Sequence, residues 1–173
     1  MSTRLNLATL SLMDALDLAI LIEMEAFKRY KMFAEQLGHR FTGDAASVFA
    51  SMAENEAKHG QELETRRKAL FGTVPMRITL DDLFDVEAPG MDAPRSTMSA
   101  LQAFEVALSS EQKAFAFYDE AIPHVANPEI RALFTELRDE ETEHVRMVRE
   151  AIAKLPPSAA VELEEDDDEL PML

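Results

Sequence analysis

Two glutamate–histidine pairs, Glu56-Ala-Lys-His59 and Glu141-Thr-Glu-His144, recur 85 residues apart. On a helix, positions three apart project from one face about one turn from each other. Each pair therefore offers a carboxylate and an imidazole to a common point. A single Glu-x-x-His on a solvated face needs no explanation, but its repetition does. A second echo accompanies it. Glu23-x-x-Ala26-Phe27-x-x-Tyr30 returns as Glu111-x-x-Ala114-Phe115-x-x-Tyr118, 88 residues on, and Phe49 precedes the first pair as Phe134 precedes the second.

Four of these acids stand in apolar stripes. Glu23 lies with Leu16, Ile20, Phe27 and Tyr30, and Glu111 with Phe104, Leu108, Phe115 and Tyr118. Glu56 and Glu141 each have an aromatic residue seven positions earlier. Burying four unpaired carboxylates costs several kcal/mol each, and the like charges repel. Protonation is one escape, and two divalent cations are a better one. Four Glu and two neutral imidazoles form an oxygen-rich mixed set suited to iron or manganese. Zinc normally takes fewer ligands. The set of one Glu on each of two helices, with Glu-x-x-His on each of two others, is the di-iron carboxylate bundle arrangement. Bland readings stand beside these. Glu23 alone reads equally as a surface residue, Glu111 as a flank residue beside Ser109 and Ser110, and Tyr30 and Tyr118 as core aromatics or as partners of ligand carboxylates. Glu54, Glu140 and Glu143 are expected to face water, and His39 and His124 to lie exposed near helix ends.

Four helices must position these side chains. The first runs from Ser11 to about Leu37, with Ser11 and Asp14 as a variant capping box and Gly38 as the stop. The second starts after Thr42 and runs to about Leu70; the short loop before it demands an antiparallel neighbour. Residues 71–97 are broken by Gly72, Pro75, Pro89, Gly90 and Pro94, with one short helical piece expected from Thr79. Such a length suits a crossover along helices of about 40 Å. The third helix is expected to start at Ser96 or Thr97 and end near Ile122, before Pro123. Asn127-Pro128-Glu129 opens the fourth, which runs to about Leu155, before Pro156. The expected architecture is an all-α antiparallel four-helix bundle over residues 1–155, with a long crossover between helices two and three. Residues 156–173 are expected to form an acidic, disordered tail, serving solubility or docking.

Composition sets the outer bounds. The 173 residues suffice for one domain with a sizeable core. The absence of cysteine excludes iron–sulfur and four-cysteine iron sites within the chain. The net charge of -16 argues against nucleic acid and anionic membrane surfaces, even though seven of the acids lie in residues 161–173. No apolar run is long enough to span a bilayer, and Met1-Ser-Thr-Arg-Leu leads into no signal-like block, so the expected location is the cytoplasm.

Over residues 11–155 the six-residue pattern resembles the ferritin-like superfamily, and within it the rubrerythrin-type di-iron proteins. The resemblance implies that Glu23, Glu56, His59, Glu111, Glu141 and His144 are metal ligands, with Glu56 and Glu141 bridging and Glu23 and Glu111 more terminal. It implies Tyr30 and Tyr118 as members of the reactive site. Two departures matter. Typical rubrerythrins add a rubredoxin domain with four cysteines, and they carry a further helix-three glutamate linked to redox-dependent movement of one iron and to fast peroxide reduction. That last position is Ala114 here, which puts efficient peroxidase turnover in doubt and brings the site closer to the ferritin type. The implied function is a non-haem di-iron oxidoreductase reacting Fe(II) with peroxide or O2, with Mn or mixed Fe/Mn as other metals. An external electron donor and a homodimer or higher oligomer, with or without exchanged helices, follow as expected partners. Iron storage with little turnover, and a helical interaction module with a vestigial site, are the alternatives.

Overall fold

The computed structural model describes residues 6–38, 45–79, 82 and 99–160. Helix α1 spans Leu12–Gly38, α2 Ala45–Phe71, α3 Ala100–Ala121 and α4 Pro128–Ala153; short 3-10 turns precede α1 (Leu7–Thr9), join α3 to α4 (Ile122–His124) and follow α4 (Pro157–Ala160). The described residues contain no strand.

Local chemistry sets the helix ends. Ser11 caps α1: its hydroxyl accepts from the Asp14 amide and donates to the Asp14 carboxylate. Asn127 caps α4 by accepting from the Glu129 amide, and Pro128 takes the first helical position. Helix α3 starts later than its predicted Ser96 or Thr97. Ser99 accepts from the Gln102 amide while Gln102 accepts from the Ser99 amide, a reciprocal capping box that fixes the start at Ala100. The α4 helix ends at Ala153, two residues before the predicted Leu155. The chain then stays on the bundle, because the Pro157–Ala160 turn buries Ala159 beside α3. The predicted cap Thr42 and most of the predicted helical piece after Thr79 lie outside the described residues. Asp82 does accept from both the amide and the hydroxyl of Thr79. The acidic segment 161–173 and His39 also lie outside.

Helix α1 packs chiefly on α2, and α3 chiefly on α4, while contacts between the two pairs are sparser. The core falls into two apolar halves. One gathers Leu16, Ile20, Leu63, Tyr118, Phe134 and Leu137; the other gathers Tyr30, Phe33, Phe49, Met52, Phe104 and Val148. The second half draws on the start of α2, the start of α3 and the ends of α1 and α4, so α2 and α3 run parallel. Only a long crossover connects helices so disposed. Among the described residues no helix is long and apolar enough to cross a membrane.

Outside this apolar packing lies one buried ion pair that sequence reading missed. Asp17 on α1, fully buried, takes a short hydrogen bond from Arg67 Nε on α2. Arg67 Nη2 also donates to the Val74 carbonyl at 2.8 Å, tying the start of the crossover to α2.

Candidate metal centre

Between the two apolar halves lies a polar layer. Glu23, Glu56, Glu111, Glu141 and His144 retain only 2–5% of their surface. Each helix contributes from its middle: Glu23 from α1, Glu56 and His59 from α2, Glu111 from α3, Glu141 and His144 from α4. The structure thus brings together all six donors that the repeats single out.

Their geometry is that of converging ligands. His144 Nδ1 lies 3.2 Å from Glu56 Oε1, 3.2 Å from Glu111 Oε2 and 3.7 Å from Glu141 Oε2. His59 Nδ1 lies 3.7 Å from Glu23 Oε2. The two imidazoles stack, with ring centres 5.6 Å apart and planes 14° from parallel. Three overlapping groups have ligand atoms within 4.8 Å of one another: Glu56, His59 and His144; Glu23, His59 and Glu140; Glu111, Glu141 and His144. Glu56 stands with both histidines, so it spans the two halves of the layer.

Glu140 corrects the sequence reading, which had it facing water. Its side chain is 32% exposed, and its Oε2 lies 3.7 Å from His59 Nδ1. Glu54 and Glu143 are exposed as expected, and so is His124. Ser110 is buried beside Glu111 because the buried Arg29 reaches across from α1 to donate to its hydroxyl at 2.7 Å. This packing makes Glu111 an interior residue. Tyr30 and Tyr118 are fully buried, one in each apolar half. Tyr30 stacks on Phe49, and its hydroxyl makes no hydrogen bond, so the expected bond to a ligand carboxylate is not present there. Tyr118 packs on Phe117 and Phe134.

Glu23 Oε2, Glu56 Oε1 and His59 Nδ1 are buried without a hydrogen bond. Native interiors rarely leave such groups unsatisfied without a functional reason. Burial pushes the Glu56 carboxyl well above its usual range, reinforced by the adjoining Glu23 and by the charge of Glu141. Burial alone would lower His144. The Glu111 hydrogen bond and the charges of Glu56, Glu111 and Glu23 outweigh it and raise its pKa from 6.5 to about 9. His59 is raised by its interaction with Glu23, against the opposing effect of burial. The layer thus favours protons on Glu56, His59 and His144. Four carboxylates and two imidazoles, with ligand atoms left unsatisfied, fit a pair of divalent cations such as iron or manganese.

These protons give the site a pH signature. A ligating imidazole must be neutral, so each ion displaces a proton. Apparent Mn(II) affinity should rise with pH from 6.5 to about 9, the range over which folded His144 keeps its proton, by about tenfold per pH unit for each proton displaced. Stability of the metal-free protein should run the other way. A raised folded pKa stabilises fully below 6.5, and that contribution is lost as pH climbs through about 9. Calorimetric titration and thermal melts across this range check both slopes; a flat Mn(II) affinity would contradict the proton displacement.

A family model described as rubrerythrin matches residues 14–87 and 102–170, a span that contains all six donors and Glu140. Among solved structures, the chain is similar to an uncharacterized conserved protein from Magnetospirillum magnetotacticum MS-1. Identity is 28% and the TM-score 0.72, covering 85% of this chain and 97% of that one. No curated protein matches.

Proposed function

The chain belongs to the rubrerythrin family, and from that premise we propose that it is a di-iron oxidoreductase that reacts Fe(II) with peroxide or O2. The observation that carries this reading is the polar layer itself: six donors from the middles of four helices, five of them buried, with ligand atoms left unsatisfied.

In this proposal Glu23 and His59 would hold one ion, Glu111, Glu141 and His144 would hold the other, and Glu56, which stands with both histidines, would serve both. Two bound ferrous ions would supply the two electrons that, with two protons, reduce one hydrogen peroxide to two waters. The chain's own part is positional and electrostatic. The apolar halves above and below the layer keep bulk water from the donors. The 3.2 Å contact between His144 Nδ1 and Glu111 Oε2 turns this nitrogen toward the carboxylates, where an ion would take the place of its proton. Glu56 and His144, both raised in pKa, would have to give up their protons to act as ligands.

Ala114, buried at 2% exposure, stands where typical family members carry a further helix-three carboxylate. This favours slow peroxide turnover or ferroxidase behaviour over rapid peroxidase cycling. In a peroxidase the iron stays and an external donor returns electrons; in a ferroxidase the iron is the substrate and leaves oxidised. Anaerobic Fe(II) titration, followed by O2 and peroxide in separate experiments, tests the proposal. The expected result is two Fe(II) bound per chain, both oxidised by at least one oxidant. Failure to bind Fe(II), or bound Fe(II) inert to both oxidants, would refute it.

A further inference from the structure

The internal repeat makes the two halves of the metal centre nearly equivalent, and the place where it fails is informative. At the offset of 85 residues, Glu56 maps to Glu141 and His59 to His144, while Glu140 maps to Asn55. Only the His59 half therefore carries an additional carboxylate. It comes from α4, the helix that otherwise serves His144.

Glu140 does not behave as a surface acid. Three outward acids of α4 pair with arginines: Asp139 with Arg138 at 3.0 Å, Glu143 with Arg146 at 2.9 Å and Glu150 with Arg146 at 2.6 Å. Among the described residues no lysine or arginine reaches ion-pair distance of Glu140, whose one such neighbour is His59. The same imidazole nitrogen faces Glu23 Oε2 at equal distance, and both of those atoms are buried without a hydrogen bond. Three ligand atoms from α1, α2 and α4 thus surround one point, two of them unsatisfied. The His144 group is wholly buried, whereas His59 and Glu140 keep 20% and 32% of their side-chain surface.

We propose that Glu140 is a seventh metal ligand, bound to the ion on the His59 side, and that this ion is the one that enters and leaves through the open rim of the layer. The inference rests on the two-metal reading above. A carboxylate at the rim draws a hydrated cation from solvent and replaces part of its water shell before Glu23 and Glu56 do. The enclosed Glu111–Glu141–His144 position fills by the same route and exchanges more slowly.

Anaerobic Mn(II) titration by calorimetry, with the intact chain as wild type, Glu140→Gln and Glu143→Gln, tests this. Glu140→Ser is a second variant, which removes the carboxylate without leaving an amide beside His59. The wild type should take up two ions. Both Glu140 variants should bind one with wild-type affinity and the other roughly 10–100-fold more weakly, with Glu143→Gln unchanged. Diffraction from Mn(II)-loaded wild-type crystals should show a Glu140 oxygen bonded to the ion on the His59 side. Two ions at wild-type affinity in the Glu140 variants overturn this inference and leave the two-metal centre standing. Equal weakening of both ions also overturns it, since that marks a diffuse charge effect. A wild type that binds no ion overturns both readings.

Discussion

Replacing Glu56 by alanine should abolish binding of at least one of the two ions, and with it oxidation of Fe(II) by peroxide and O2. Glu56 is the donor that stands with both histidines, so its loss removes a ligand from each half. Loss of a supporting group alone costs a metal site roughly 10–100-fold in affinity, and loss of a bridging ligand should cost more. Stability of the metal-free protein should move in the opposite direction. Glu56 is 2% exposed and its pKa is raised by burial and by Glu23, so the neutral isostere Glu56→Gln removes the cost of keeping that carboxyl protonated without opening a cavity. The expected pattern is a higher melting temperature without metal and little or no further rise on adding Fe(II). Metal analysis and paired melts with and without Fe(II) read both effects. An alanine variant with full iron content and full turnover would refute the assignment of Glu56.

The second large effect lies away from the centre. Arg67→Ala should destabilise the fold by about 3–5 kcal/mol, because it leaves the Asp17 carboxylate charged, fully buried and unpaired. For a chain of this size such a loss lowers the melting temperature by ~10 °C. The pair itself needs no net stabilising energy for this to hold. Replacing both partners by apolar residues of similar volume, Asp17→Leu with Arg67→Met, should recover most of the loss. The double variant also gives up the hydrogen bond to the Val74 carbonyl, so recovery should fall somewhat short of complete. Urea denaturation of the three variants decides this; equal destabilisation by the single and double changes would show that the crossover anchor, and not the stranded charge, is what Arg67 supplies.

The contrast between these sites shows what a sequence can reveal. The six donors were legible because the chain states them twice, at offsets of 85 and 88 residues, and because each falls at helical spacing within an apolar stripe. Helix existence followed from the same periodicity. The start of α3 was misplaced by competing signals: Ser96, Thr97 and Ser99 can all cap a helix, and only the reciprocal partner at Gln102 selects the last. Asp17 and Arg67 are 50 residues apart with no pattern joining them, so their pairing emerges only when α1 and α2 pack. Glu140 was assigned to solvent because, adjacent to Glu141, it is turned about 100° away on the helix. That rotation carries it out of one half of the layer and into reach of a histidine on another helix, a relation no single-helix pattern contains.

The division of the bundle into two helical hairpins, each tightly packed within itself and joined to the other across a layer of carboxylates, bears on how the molecule comes apart. Cations bound in this layer would act as removable cross-links. The Glu56–His59–His144 group joins α2 to α4, and the Glu23–His59–Glu140 group joins α1 and α2 to α4. Both connect segments more than 80 residues apart in the chain, which closes a long loop and restricts the unfolded ensemble. Amide exchange should then report a single cooperative unit when the cations are in place, and two hairpins opening at separate free energies when a chelator has removed them.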